Sequence, residues 1–442
     1  MEAADAPGVI APGDAPCPGK LGGRQRRRKT LREGAAERID LGIKATVLEG
    51  APDLGGTWYF NRYPGCRFDS ESYTYGYSFS REVLDEWHWK ERFSSQPENL
   101  KYLNFVADKF NLRRHMQFNQ RVIAAQWDEA NRLWRLTVRD EQGEEGPGER
   151  KGPTRKMTCR FVVMALGLLS QPTLPRLEGM DRFKGPSFHT YYWPKEGVDL
   201  KGKKVAVIGT GATAIQVIAE IADKVGDLTV FQRRPNWSAP LNNSLISEQE
   251  MADIRKRYDE IFAACARSPG GFVHEPDRRG FYEVSREERL RTWDRLYDEP
   301  GFGIWLANFR EIFMDEAANA ELSEYIAERI RRRVKDPKVA ELLIPKDHGF
   351  GVQRVPLETR YFEAYNRPDV HLVDLKTSPL ARVTEKGLVT KGPEGEREYG
   401  FDIIVYATGF DAITGAFDHI DIRGTNGQTL RDKWRDSCSS FL

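Results

Sequence analysis

Gly209-Thr-Gly211-Ala-Thr-Ala214 follows directly on Lys203-Lys-Val-Ala-Val-Ile208, and residues of these types at this spacing can hold a dinucleotide. Gly209 permits a tight turn, Gly211 lets backbone approach a pyrophosphate, and Ala214 allows a helix to pack closely on a strand. The helix that opens there offers free N–H groups and the positive end of its dipole to phosphates. Thr210, Gly211, Ala212, Thr213 and Gln216 are therefore candidate cofactor contacts. A second strand, Leu228-Thr-Val-Phe231, ends in Gln232-Arg233-Arg234. A carboxylate at that point would hold a ribose diol, whereas a guanidinium suits a 2′-phosphate, so Arg233 points to NADPH. With the glycine turn in register, this reading takes precedence over one of solvated arginines at a strand end.

The elements needed to position such a turn are present. Val205 to Ile208 is an apolar, β-branched run, as expected of a central parallel strand. Ile215, Ile218, Ala219 and Ala222 follow at helical spacing. Earlier in the chain, Ile43-Lys-Ala-Thr-Val-Leu48-Glu49 reads as a buried strand ending in an acid, with Glu49 placed to hold a ribose diol. Asp53-Leu-Gly55-Gly56-Thr-Trp58 is a glycine turn beside an indole, able to bring backbone close to a flat ligand.

Composition narrows the function class. A chain of 442 residues is too long for one core and suits two or three domains. Its net charge of +1 gives no support to a nucleic-acid partner or an anionic membrane surface. No apolar run approaches a membrane span, and no signal-peptide core is visible. The five cysteines, Cys17, Cys66, Cys159, Cys265 and Cys438, are scattered, so neither a zinc site nor a dithiol centre is expected, and a reducing cytoplasm is the plain inference. The basic run Arg24-Gln-Arg-Arg-Arg-Lys29 is read as part of a disordered, solvated N-terminal segment.

Longer motifs carry a family resemblance. Gly55-Gly-Thr-Trp-Tyr59, Asn61-Arg-Tyr-Pro-Gly65, Asp69-Ser-Glu-Ser-Tyr73 and Tyr77-Ser-Phe-Ser80 resemble the FAD half of Baeyer–Villiger monooxygenases. Phe183-Lys-Gly185-Pro-Ser-Phe-His189-Thr-Tyr-Tyr-Trp193-Pro194 matches that family's F-x-G-x-x-x-H-x-x-x-W-P fingerprint at every fixed position. Ala407-Thr-Gly409-Phe-Asp411 resembles its later A-T-G motif. The resemblance implies an NADPH- and FAD-dependent enzyme that inserts one oxygen atom from O2 beside a ketone carbonyl through a C4a-peroxyflavin, giving an ester or lactone. It also implies a catalytic pair, Arg354 with Asp69 as its orienting carboxylate, and FAD contacts from Glu49, Gly55, Gly56, Thr57, Trp58, Asp69 and Tyr75. His189 is implied to act as a gating residue between domains. Gln353 stands where related enzymes carry a lysine near the nicotinamide ribose, which leaves Arg233 to select the 2′-phosphate.

The expected fold is α/β: two dinucleotide-binding Rossmann-like domains, for FAD and NADPH, with a helical insertion in the NADPH domain. Residues 1–38 form a divergent segment, 39–160 and 403–442 the FAD domain, and 161–402 the NADPH domain with its insertion at about 244–345. Within the insertion, Met251 to Ala266 and Glu321 to Val334 read as helices, with Arg331-Arg-Arg333 as a solvated face. Phe272, Tyr282, Trp293, Phe302 and Trp305 are aromatics that could wall a substrate pocket. The resemblance also predicts a first strand and G-x-G-x-x-G turn some thirty residues before Glu49, which residues 1–38 do not show. The pattern is lost near Asp40 and again after Asp436, so altered ends from a frameshift, an alternative exon or a gene-reading error are expected. Two other functions stay open: a degenerate NADPH-binding protein without a competent FAD site, and a flavin monooxygenase that oxygenates nitrogen or sulfur. A flavin disulfide reductase lacks its cysteine pair. The expected partners are a small ketone and O2, with a monomer or weak dimer in the cytoplasm.

Overall fold

The strand Lys204–Ile208 lies at the centre of a five-stranded, wholly parallel sheet. Its order is Val370–Asp374, Asp227–Gln232, Lys204–Ile208, Ile403–Tyr406 and Ser187–His189. This computed structural model describes residues 44–141, 152–268 and 270–438. Val205, Ala206, Val207 and Ile208 are all buried. Burial contributes about 1.5–3 kcal/mol for each valine or isoleucine, which is why the run is apolar on both faces. The helix Ala212–Ile221 buries Ala214, Ile215, Val217, Ile218 and Ile221. Its apolar surface is wider than the spacing of Ile215, Ile218 and Ala222 alone predicts. One side meets the sheet and the other meets residues 63–67, where Gly65 has φ of +81° and a Cβ would lie 2.8 Å from the Gln216 carbonyl oxygen.

A second part of the molecule is built from residues 44–159 and 421–434. It holds a four-stranded sheet in the order Asp421–Arg423, Gln120–Asp128, Leu133–Asp140, Thr154–Cys159. Beside this sheet is a two-residue parallel pair, Val47–Leu48 with Met116–Gln117. The strand expected from Ile43 to Glu49 is thus regular only at Val47–Leu48, and Ile43 lies outside the described residues. The same holds for the N-terminal segment 1–38, its basic run and the last four residues. A three-stranded meander, Leu380–Val383, Gly387–Gly392 and Gly395–Gly400, covers the other face of the parallel sheet.

One domain boundary is corrected. Ile403–Tyr406 was expected to begin the return to the FAD domain, yet it is hydrogen-bonded on both sides within the parallel sheet. Four consecutive buried apolar residues cannot sit at a surface crossover, so they fill the slot between Lys204–Ile208 and Ser187–His189. The chain rejoins the second part only at Asp421–Arg423.

The insertion is helical, with two differences from expectation. Met251 to Ala266 falls in two helices, Glu248–Lys256 and Tyr258–Arg267, broken at Arg257. Met251, Ile254, Tyr258 and Ile261 are buried on both sides of the break. The helix Glu316–Arg333 is capped by Asp315, whose side chain accepts from the Ala318 N–H. At its far end Arg333 is not a solvated charge. It bonds the fully buried Glu358 carboxylate at 2.7 Å and Glu363 at 2.6 Å, whereas the exposed Arg332 pairs, among the described residues, with the half-buried Glu328. No helix among the described residues is long and apolar enough to cross a membrane.

Candidate functional site

The phosphate turn forms at the end of Lys204–Ile208. Gly209 has φ of +114°, and a Cβ there would collide with the Ala407 carbonyl oxygen, so the position needs glycine twice over. Gly211 faces open space and caps Ala212–Ile221 without a side-chain hydrogen bond. The first-turn N–H groups at Ala212 and Thr213 thus stand without a side-chain cap at the positive end of the helix dipole. The Thr210 hydroxyl donates to the Arg234 carbonyl at 2.9 Å, tying the turn to the basic strand tip. Arg233 is exposed and makes no ion pair among the described residues. Arg234 is committed to Asp347 at 2.6 Å. Gln353 is exposed. Gln216 departs from expectation: its amide accepts from the Tyr63 hydroxyl at 3.0 Å and donates to the Arg67 carbonyl at 3.0 Å. It joins the two parts of the protein rather than facing a nucleotide.

Across the junction, Gly55 and Gly56 carry φ of +130° and +52° and lead into the single-turn helix Thr57–Phe60. The Trp58 indole N–H donates to the Tyr75 hydroxyl at 2.8 Å, and Phe68 packs edge-on against Trp58 at 5.6 Å. Glu49 accepts from the Ala51 N–H at 2.8 Å through one carboxylate oxygen. Burial raises the Glu49 pKa, and the Ala51 N–H and the Arg121 guanidinium oppose that rise.

Asp69 and Arg354, 285 residues apart, meet between the two parts. One Asp69 oxygen accepts from the Arg354 guanidinium, and the other accepts from the Leu357 N–H at 3.3 Å. Asp69 is buried, while the Arg354 side chain is 54% exposed and lies 5.8 Å from the Phe302 ring centroid. The guanidinium is therefore anchored to Asp69 on one side and exposed to solvent on the other. A permanently charged, planar donor held in this way can stabilise an anion without protonating it.

The fingerprint stretch supplies the wall of the junction. His189 is buried; its Nδ1 accepts from the Tyr191 N–H at 3.1 Å, and its Nε2 donates to the Gly409 carbonyl at 3.0 Å. Burial lowers its pKa to about 4, with the Gly409 carbonyl opposing, so the ring is neutral at physiological pH. Trp193 is buried edge-on to Phe188 at 4.9 Å, and Pro194 opens the turn closed by the Gly197 N–H. At Gly185 a Cβ would strike the Asp402 carbonyl, while Phe183 packs under the meander. Tyr191 stacks on Phe60 at 4.6 Å, and Lys195 donates to the Tyr59 hydroxyl at 2.6 Å, so this stretch also spans both parts. Sequence reasoning missed Lys195, Asp347 and the interface role of Gln216. Only the adjacency of Lys195 to the fingerprint could have flagged one of them.

The residues fit two nucleotides. The open Gly211, the uncapped helix start and the unpaired Arg233 suit a phosphorylated nicotinamide dinucleotide. The positive-φ Gly55-Gly56 turn and the half-engaged Glu49 carboxylate suit a flavin dinucleotide. A parallel sheet with a phosphate turn, a second glycine turn in the other part, and a guanidinium–carboxylate pair joining the two parts are the features of a two-nucleotide flavoprotein oxidoreductase. The profile described as L-lysine 6-monooxygenase/L-ornithine 5-monooxygenase matches residues 70–263. The chain is 46% identical over 407 residues to the 2-oxo-Delta(3)-4,5,5-trimethylcyclopentenylacetyl-CoA monooxygenase of Pseudomonas putida, covering 91% of this chain and 72% of that one. It is 40% identical over 394 residues to the acetone monooxygenase (methyl acetate-forming) of Gordonia sp. strain TY-5, covering 89% and 70%. A crystal structure of OTEMO in complex with FAD and NADP superposes with a TM-score of 0.86 at 45% identity, covering 93% of this chain and 75% of that one. The chain belongs to the Baeyer–Villiger monooxygenases.

Proposed function

We propose that this chain binds FAD and NADPH across the junction and transfers one atom of O2 to a position beside a ketone carbonyl, yielding an ester or lactone and water. The observation that carries the reading is the Asp69–Arg354 pair, which holds a half-exposed cation where the two parts of the protein meet. Bound flavin, reduced by NADPH, supplies the oxygen-activating chemistry. The chain's residues supply position and charge. Arg354 holds negative charge near the reacting atoms, and Asp69 fixes its plane. The Gly209–Gly211 turn seats the nicotinamide pyrophosphate, Arg233 selects the 2′-phosphate, and Trp58 with Tyr75 packs against the flavin side. His189 is neutral and saturated with hydrogen bonds, so it holds the wall rather than moving a proton. The FAD part is assigned to residues 44–159 and 421–434, and the NADPH part to the five-stranded sheet with its insertion. The free thiols of Cys66, Cys265 and Cys438 are in keeping with a cytoplasmic setting.

The test separates the two half-reactions. In Arg354→Ala, flavin bleaching by NADPH under anaerobic conditions survives, while ester formation from a ketone is lost. Equal loss of both half-reactions would show that Arg354 has another role. A second reading, oxygenation of an amine nitrogen, is favoured by the matching profile over residues 70–263. Oxygen-18 appearing in a hydroxylamine or N-oxide, and not in an ester, would select it.

A further inference from the structure

Arg354 lies near the end of an irregular loop, residues 344–356, in which residues 344–354 have no strand partner. Its backbone is instead hung from side chains. The Trp237 indole N–H donates to the His348 carbonyl at 2.9 Å, and the Trp305 indole N–H donates to the Gly351 carbonyl at 3.2 Å. At Phe350, a fully buried residue, both backbone groups are taken up by two side chains one turn apart on the helix Glu316–Arg333. The Phe350 N–H donates to the Ser323 hydroxyl at 2.9 Å. That hydroxyl donates to the Asn319 amide oxygen at 3.1 Å, and the Asn319 amide nitrogen donates to the Phe350 carbonyl at 2.9 Å. The ring of bonds is closed. The same amide nitrogen also donates to the Ile312 carbonyl at 2.7 Å, using both its hydrogens. Gly349 lies so close to the Asn319 amide that no Cβ fits between them.

Asparagine is a poor helix former, because its side chain competes for backbone partners. Here it stands within an 18-residue helix with every polar atom committed outside its own backbone. Such a network fixes the loop four residues before the guanidinium. We propose that Asn319 and Ser323 are positioning residues that clamp the loop at Phe350 and so set the placement of Arg354 against Asp69. The inference rests on the role proposed above for Arg354. A guanidinium displaced by about 1 Å would stabilise developing charge poorly, at a cost on the order of ten- to hundredfold in rate. Substrate nucleotide binding, seated at the Gly209 turn, would be untouched.

The experiment compares Ser323→Ala, Asn319→Asp and Ser323→Thr in the full chain. Asn319→Asp keeps the shape and removes both donors; Ser323→Thr keeps the hydroxyl. In the first two, oxygenation is expected to fall about ten- to hundredfold, with KM for NADPH and the anaerobic flavin reduction rate unchanged, and with hydrogen peroxide accounting for the NADPH consumed. Ser323→Thr restores coupling. Hydrogen exchange at the Phe350 amide rises about tenfold in Ser323→Ala and stays at the parent level in Ser323→Thr, which reports on the clamp without turnover. Parent-like coupling in both disrupting variants, equal loss of both half-reactions, or parent-like Phe350 protection in Ser323→Ala would overturn the proposal. If the parent itself oxygenates no ketone, the proposed function fails, and amide exchange alone judges the clamp.

Discussion

His189 donates through Nε2 to the carbonyl oxygen of Gly409 at 3.0 Å, which links the fingerprint strand to the loop that follows the neighbouring strand Ile403–Tyr406. The ring is neutral in the folded protein because burial lowers its pKa to about 4, whereas in an unfolded chain it titrates near 6.5. The stabilisation is thus complete above pH 6.5 and is lost as pH falls through 4, by up to about 3 kcal/mol. His189→Asn has no ring to protonate. The gap in urea midpoint between parent and variant should narrow between pH 6.5 and 4; a constant gap would refute the assignment.

Asp69 controls the placement of Arg354 through one oxygen and the Leu357 N–H through the other. Asp69→Ala removes both contacts while leaving the cation. Ketone oxygenation should fall by one to two orders of magnitude and peroxide release should rise, with NADPH binding by calorimetry within about twofold of the parent. Unchanged coupling would dismiss the pair as a structural link.

The two arginines at the strand tip have different partners. Arg233→Ala should raise KM for NADPH on the order of tenfold or more and leave NADH unaffected, since only the 2′-phosphate is lost. Arg234→Ala should change the NADPH:NADH preference little, because its charge is already engaged by Asp347. Steady-state kinetics with both nucleotides decides the matter, and equal effects from the two variants would contradict it.

Gly209 and Gly211 separate folding from binding. Gly209→Ala combines φ of +114° with a collision against Ala407, so its melting temperature should drop by several degrees, on the order of 2 kcal/mol or more. Gly211→Ala meets nothing in the protein and should melt near the parent temperature. Its Cβ would instead stand where backbone approaches a pyrophosphate, so NADP+ affinity should be the quantity that falls. Parent-like affinity in a well-folded Gly211→Ala would remove the turn from the nucleotide site.

Local patterns in the sequence exposed the parts whose physics is local. The apolar run at Val205 to Ile208, the glycines after it and the spacing of Ile215 and Ile218 each reflect a neighbour within a few residues, and each appears where its pattern places it. Contacts between distant segments were legible only through the resemblance, as with Asp69 and Arg354. Expectation failed where a partner distant in the chain decides the outcome. Arg333 looked like its exposed neighbour Arg332, because nothing near it in the chain announces that Glu358 will be buried beside it. Gln216 looked like a nucleotide contact because the turn precedes it, yet its side chain leaves the helix on the face that meets Tyr63 and Arg67. The strand Ile403–Tyr406 was placed with the FAD domain through the A-T-G motif beside it, and an apolar tetrapeptide carries no label of its own for its sheet partners.

That strand also dictates when the nucleotide fold can be finished. On a ribosome, Lys204–Ile208 emerges close to two hundred residues before the segment that pairs with its second edge. At 5–20 residues per second this edge stays unmated for roughly 10–40 s. An unpaired hydrophobic edge of that lifetime recruits other strands, so yields of this protein should respond more to translation speed and chaperone supply than to the stability of its finished form.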